Sequence, residues 1–243
     1  MRDWSGLNVV AVEAHPDDVE LAVTGTLIRL SRAGANVTIC SVTSGGRGAS
    51  HDPTASTALT AEVRLKEAAA VAESIGARFV CLGAEDEYLF DTPELRDALV
   101  DVFREAHADL LFCCPPNDYQ DDHTRSGEIA VQAAHLATVG QIRTEHPPLD
   151  RAPATYYYDS VSGIGFEPDL WIDISDVIDE KSRSASMHES QMTAQAHLAG
   201  WDLVENLKVL GRLRGMQSGV AYAEAFQVCR KHSKLRALND FPW

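Results

Sequence analysis

The stretch that decides the fold is residues 7–34, LNVVAVEAHPDDVELAVTGTLIRLSRAG. Its first part, Leu7 to Ala14, is a short apolar run rich in valine, which predicts a strand buried on both faces. Asp18 to Ala33 has helical periodicity, and Gly34 stands where a C-terminal helix cap is expected. A buried strand followed directly by a helix predicts the opening of an α/β fold.

The same alternation continues through the first half of the chain. The periodicity predicts strands at 37–42, 79–82 and 110–114, and helices at 58–75, 93–107 and 124–139. This order implies right-handed βαβ units in a Rossmann-like, mostly parallel sheet with helices on both faces. Ligands of such sheets bind outside the carboxyl ends of the strands. We therefore expect the site at positions 14–18, 43–48, 83–88 and 115–123.

The last third is less regular. It contains predicted strands at 154–160, 170–174 and 222–228, and predicted helices at 177–199 and 203–215. We predict a single domain over residues 1–243. Its Rossmann-like core covers 1–150, and 151–243 forms a C-terminal extension of the same domain.

Composition and charge exclude several classes of protein. The formal net charge of -15 and the absence of a Lys/Arg cluster argue against binding to nucleic acid or anionic membrane. No apolar run approaches the roughly 18–20 residues that span a bilayer, and the N-terminal residues lack an apolar signal region. The five cysteines form no C-x-x-C pair, which fits free thiols in a reducing compartment. A cytoplasmic protein is expected.

Reactive side chains are concentrated in residues 14–20, AHPDDVE, where the first strand meets a helix. His15 and Asp18, three positions apart on that turn, can converge on one metal. Asp17 is then free to accept a proton from the attacking water. The alternative is structural: Asp17 or Asp18 caps the helix, and Glu20 is favoured in its first turn by the helix dipole.

A second motif, NDYQDDH at residues 117–123, follows the 110–114 strand. His123 is the natural third ligand, because two histidines and one carboxylate form a common catalytic zinc set. Asp122 is a candidate to fix a histidine ring by accepting its hydrogen bond. Asp118 and Asp121 are open to a plainer interpretation as loop residues that face solvent. Zn²⁺ is the expected metal, although Fe²⁺ also suits such ligands.

The A-H-P-D-D-x-E run and the downstream D-x-x-x-D-H resemble the PIG-L/LmbE-like family of zinc-dependent N-deacetylases. Weaker similarities extend the match over roughly residues 7–191: a glycine-containing loop at 43–48, Arg64 with Glu67, an L-G-x-x-D element ending at Asp86, and a D-I-S…K…H-x-S-Q stretch over 173–191.

The resemblance implies an LmbE-like fold, zinc held by His15, Asp18 and His123, and Asp17 as the general base. It implies removal of acetyl from an N-acetylglucosamine-type sugar or conjugate by attack of zinc-activated water on the amide. It also implies a homo-oligomer.

Two departures from the family pattern bear on catalysis and on local packing. Many members carry a histidine that stabilises the oxyanion at the position of Gln120. Gln donates a neutral hydrogen bond but no proton, so we expect Gln120 itself or His188 to cover that role. Of the glycine pair that the family often has in Ala22 to Thr26, only Gly25 remains.

Three residues are predicted substrate contacts: Arg47, Arg64 and Asp86. Arg64 has an equally weighted alternative, a surface helix arginine paired with Glu67. Arg47 has the alternative of an ordinary loop residue, and His188 that of an ordinary helix-face histidine.

Two other functions remain open. The same metal site would serve an amidase or deacylase acting on a non-sugar amide. A non-catalytic α/β ligand-binding protein is the second alternative. Against it, the turn after the first strand carries carboxylates in place of a glycine-rich phosphate loop, and carboxylates repel a pyrophosphate.

Overall fold

The computed structural model describes residues 4–200 and 202–231. The ends of the predicted domain, 1–3 and 232–243, lie outside the described residues. The strands are β1 (Asn8–Glu13), β2 (Asn36–Thr43), β3 (Ala77–Ala84), β4 (Leu110–Cys113), β5 (Ala154–Tyr158), β6 (Leu170–Asp173) and β7 (Ala223–Val228). The helices are α1 (Asp18–Ala22), α2 (Thr24–Arg32), α3 (Thr57–Ser74), α4 (Pro93–Glu105), α5 (Asp121–Leu136), α6 (Ile178–Ser186), α7 (Glu189–Ala199) and α8 (Leu203–Ser218).

The strands form one seven-stranded sheet in the order β3-β2-β1-β4-β5-β7-β6. All neighbours from β3 to β5 are parallel, whereas β7 runs antiparallel to both β5 and β6. This arrangement confirms the predicted α/β, mostly parallel sheet. After β3 the chain crosses to the other side of β1, so the strand order reverses between β1 and β4. Ligand crevices form at such a reversal.

Alternate residues of β1, an interior strand of the sheet, face two hydrophobic cores. Val9 and Ala11 belong to one core, which α1, α2, α6 and α8 cover. Val10 and Val12 belong to the other, which α4 and α5 cover. The prediction of helices on both faces is therefore confirmed. Strands from both predicted parts, 1–150 and 151–243, share the sheet, and the boundary at 150 stays a prediction.

The helix predicted over 18–33 was wrong, since α1 and α2 meet at Val23. Glu224 of β7 accepts hydrogen bonds from the backbone N–H groups of Gly25 (2.8 Å) and Thr26 (2.7 Å). The N–H groups in the first turn of a helix have no partner within the helix, so the distant carboxylate caps the N-terminus of α2. A Cβ atom at Gly25 would lie 2.9 Å from Glu224 Oε1, which accounts for the glycine retained there.

The helix predicted over 177–199 is also two helices, with the break at Met187 and His188. Glu67 of α3 accepts a hydrogen bond from the N–H of Ser190 at 2.9 Å, in the first turn of α7. The start of α5 was predicted three residues too late. Its first turn contains two aspartates, which the helix dipole favours there, and the same turn carries His123.

The buried Arg104 of α4 forms hydrogen bonds with the segment that follows α5. Its guanidinium donates to the carbonyl groups of Ala137, Val139 and Ile142, each at 3.0 Å. We expect Arg104→Met to lower the free energy of unfolding by about 3 kcal/mol, because several buried carbonyls lose a charged donor. Denaturant titration measures the change. Arg125→Met, at an exposed arginine of α5, is the control and should change the free energy by less than about 0.5 kcal/mol. Equal effects of the two variants would contradict the stabilising role that we assign to Arg104.

Candidate active site

The two sequence motifs meet where the strand order reverses. His15 and Asp18 follow β1, and His123 lies in the first turn of α5 after β4. Asp18 Oδ1 is 3.2 Å from His123 Nε2, and Asp18 Oδ2 is 3.5 Å from His15 Nδ1. All three side chains are buried, and their ligand atoms lie within 4.8 Å of one another. Two imidazoles and a carboxylate therefore converge on one point.

Carboxylates hold the other nitrogen of each ring. His15 Nε2 lies 3.1 Å from Asp86 Oδ1 and 3.3 Å from Asp122 Oδ2, while His123 Nδ1 lies 3.1 Å from Asp118 Oδ1. A carboxylate at one ring nitrogen places the proton there and leaves the other nitrogen free for a metal. The nitrogens thus freed are the two that face Asp18.

Asp86 and Asp122 also form, with His15, a second cluster that could hold a cation. Their oxygens are already engaged: Asp86 Oδ2 accepts from Arg47 N at 2.7 Å, and Asp122 accepts from Glu87 N at 2.7 Å and from Leu89 N. These contacts favour a supporting role for both residues. The substrate contact predicted for Asp86 stays a prediction, and sequence reasoning missed the contact of Asp118 with His123.

Protonation states show why the cluster suits a cation. Burial alone would lower the pKa of His123, but Asp18 and Asp118 raise it to about 10. Burial alone would raise the pKa of Asp18, yet His123 and His15 hold it well below its ordinary value. The metal-free site therefore favours protonated imidazoles beside ionised carboxylates. A divalent metal supplies the same positive charge, and the donor set fits zinc or iron.

Asp17 stands beside this cluster in a strained conformation. Its backbone φ of 147° is an angle that residues other than glycine rarely adopt, and such strained residues concentrate at functional sites. Asp17 makes no side-chain cap to α1, so the capping interpretation is wrong for this residue. Burial raises its pKa, and Arg64 opposes the rise. Its carboxylate lines the same cavity as the three predicted ligands.

The buried Arg64 of α3 ties the base candidate to the loop after β2. Its guanidinium donates to Asp17 Oδ1 (2.9 Å), Pro16 O (3.0 Å) and Gly45 O (2.9 Å). Glu67 instead contacts Ser190, so the alternative of an Arg64–Glu67 surface pair is wrong. A Cβ atom at Gly45 would collide with the guanidinium, which explains the glycine in this loop.

The sequence model of the PIG-L family, described as GlcNAc-PI de-N-acetylase, matches residues 10–134, just over half of the 243 residues. This chain belongs to the PIG-L family. Diacetylchitobiose deacetylase of Thermococcus kodakarensis is 28% identical to it over 230 residues, which are 90% of this chain and 82% of that protein.

Two solved structures show how widely this PIG-L family fold is shared. A conserved protein from Thermus thermophilus is 30% identical and superposes with a TM-score of 0.80, covering 98% of each chain. GalB, the 4-carboxy-2-hydroxymuconate hydratase of Pseudomonas putida, is 21% identical with a TM-score of 0.80, covering 97% of this chain and 99% of that one. The second likeness shows the fold alone.

Gln120, one of the two residues expected to stabilise the oxyanion, lines the cavity. Its amide donates to Glu87 Oε1 at 3.2 Å. The other candidate, His188, is fully buried and lies 3.2 Å from Glu20 Oε2. His188 is not among the described residues that line the cavity, so of the two candidates the geometry places only Gln120 on the cavity wall.

The cavity of this PIG-L family chain has a volume of about 140 Å³. Arg47 lines its edge, where its guanidinium is held by Glu85 at 2.6 Å and lies over the ring of Tyr88. The last third of the chain contributes Val161, Gln191, Gln195 and Leu203. Gln191 ends the H-x-S-Q part of the 173–191 stretch, whereas no local motif marks Val161, Gln195 or Leu203, so sequence reasoning missed those three.

Proposed function

We propose that this chain is a metal-dependent hydrolase that removes the N-acetyl group from an N-acetylglucosamine-type sugar or conjugate. The observation that carries the proposal is the convergence of His15, Asp18 and His123 beside the strained Asp17 in one cavity. The family description and the deacetylase from Thermococcus kodakarensis support the substrate class.

In this proposal His15, Asp18 and His123 hold the metal, with zinc expected first and Fe²⁺ as the alternative. A metal bound there supplies Lewis acidity toward the attacking water and the amide carbonyl. Asp17 accepts the proton of the water and returns it to the leaving amine. Gln120 donates a neutral hydrogen bond to the carbonyl oxygen as negative charge develops on it.

Acetate release tests the function. The purified chain, supplied in turn with Zn²⁺ and Fe²⁺, is incubated with N-acetylglucosamine glycosides and with N-acetylated compounds that contain no sugar. We expect equal amounts of acetate and free amine from the glycosides. Release from the non-sugar amides alone would favour the deacylase alternative. Bound metal without release from either class would contradict a deacetylase and favour a ligand-binding protein.

The proposal also covers the cellular compartment and the oligomeric state. We place the protein in a reducing compartment such as the cytoplasm, because all five cysteines are free thiols. None of the helices in the described residues is long and apolar enough to cross a membrane. The homo-oligomer stays a prediction, which analytical ultracentrifugation checks.

Arg64 is expected to act through Asp17. Arg64→Met should lower kcat for acetate release by about ten- to a hundredfold, because the carboxylate loses the donor that orients it. The same change in an Asp17→Asn background should have little further effect, since residues that act as a unit are not additive. Kinetics of the four proteins measure the coupling. Equal effects in both backgrounds would support the direct substrate contact predicted for Arg64 instead.

A further inference from the structure

A second hollow, which we name the α3 groove, lies next to the catalytic cavity. Its apolar wall consists of Ala49, Ala55, Leu59 and Val63, and its volume is about 390 Å³. Leu59 is 65% exposed and Val63 is 46% exposed. They are four residues apart on α3, so they share one helix face. Exposed apolar side chains that line one hollow are a mark of a binding surface.

The groove and the cavity share a wall. Gln191 lines both of them. Along the loop after β2, Gly48 and Ser50 line the cavity, while Ala49 and His51 line the groove. A molecule whose acetamido group reaches Asp17 therefore has the groove directly beside it.

Size favours a ligand that occupies both hollows. The catalytic cavity, at about 140 Å³, is smaller than the roughly 300–1,000 Å³ typical of small-molecule pockets. It suits the reacting end of a substrate, whereas the rest of a conjugate has to lie outside it. The groove offers more than twice that volume.

The lack of charged residues in the described lining of the groove limits which ligands the groove can bind. The chain has a net charge of -15, yet among the described residues that line the groove there is no Asp, Glu, Lys or Arg. The polar part of the lining includes the uncharged residues Ser190 and Thr193. A neutral group with an apolar body fits this lining better than a phosphate or a carboxylate does.

We propose that the α3 groove binds the aglycone of the substrate, a neutral alkyl or aryl group linked to the sugar. This inference rests on the proposed deacetylase function. It assigns the chain to conjugates with an apolar aglycone in preference to small or charged ones.

The test compares kcat/KM for the hexyl and methyl glycosides of N-acetylglucosamine, in both anomers, with zinc-loaded protein. We expect one hexyl anomer to be preferred about tenfold, the effect of burying about two methylene groups. The Leu59→Ser/Val63→Ser double variant should bring the ratio close to one. Because both glycosides are measured on one preparation, the ratio does not depend on the fraction of folded protein. Met216→Ser, at an exposed methionine of α8 outside both hollows, should keep the preference.

Each contrary outcome has a separate meaning. Acetate release from both glycosides without a hexyl preference would overturn the groove assignment and leave the proposed function intact. No release from either glycoside would overturn both. A wild-type oligomer that the double variant dissociates in sedimentation would assign the groove to a second copy of the chain and overturn the proposal.

Discussion

Asp17→Asn is expected to lower kcat for acetate release by about a thousandfold while the chain still binds its metal. General base catalysis by a positioned side chain contributes roughly 10²–10⁴-fold, and Asn cannot accept the proton. Asp17 is not one of the three proposed metal ligands, and its Oδ1 already accepts a hydrogen bond from Arg64 at 2.9 Å. Removal of the base should therefore leave the ligand geometry unchanged.

Asn is the appropriate replacement at this position for a structural reason. Asp17 has a positive φ of 147°, and Asn has the same shape as Asp, so the substitution adds no heavy atom that this backbone conformation would have to accommodate. Its amide oxygen can also still accept the hydrogen bond from Arg64. The variant thus isolates the loss of basicity from a change of backbone.

Steady-state kinetics and elemental analysis of the same samples check this prediction. Asp121→Asn is the matched control, because Asp121 is an exposed carboxylate in the first turn of α5. It should keep both activity and metal. Full activity of Asp17→Asn would place the base elsewhere, with Glu87 as the next carboxylate on the cavity wall. Loss of metal in Asp17→Asn would show that Asp17 supports the ligands instead.

Local pattern predicted most of the fold because four of the five parallel strands, β1, β2, β4 and β5, are buried on both faces. Valine-rich runs such as Val9 to Val12 of β1 are apolar throughout and stand out in the sequence. The prediction failed where a distant carboxylate starts a helix. Glu224 supplies the start of α2, and Glu67 contacts the first turn of α7. Residues separated by 199 and 123 positions leave no periodic trace in the sequence.

The sequence likewise predicted one part of the candidate site and missed another. His15, Asp17, Asp18 and His123 stand at the carboxyl ends of β1 and β4, so strand position and residue type together indicated them. The sequence indicated Asp122 as a partner of a histidine ring, but the contacts of Asp86 with His15 and of Asp118 with His123 depend on side-chain orientation, which spacing does not encode. For the same reason the sequence pattern indicates His188 as a candidate site residue, although its ring is buried against Glu20.

Asp18→Ala is expected to weaken metal binding by more than about a hundredfold and to abolish acetate release. Asp18 is the carboxylate that both ligand nitrogens face, at 3.2 Å and 3.5 Å. Loss of a supporting contact typically costs 10–100-fold in metal affinity, and loss of a ligand should cost more. Asp118→Asn, which changes the carboxylate beside His123 and leaves all three proposed ligands in place, should fall in the smaller range. Zinc titration against a competing chelator measures both variants, with thermal melting as the check on folding.

The pH dependence of zinc binding to the wild type follows from the same geometry. A metal requires neutral imidazoles, and the pKa of His123 is raised to about 10 in the metal-free site. Zinc therefore has to displace a proton, so affinity should rise as pH increases toward 10 and fall as pH decreases. The Asp18 variant should lose that dependence together with its metal. If Asp18→Ala kept the metal and Asp86→Ala lost it, the ion would belong to the cluster on the other side of His15, formed with Asp86 and Asp122. The two sets share one histidine, so this pair of variants decides between them.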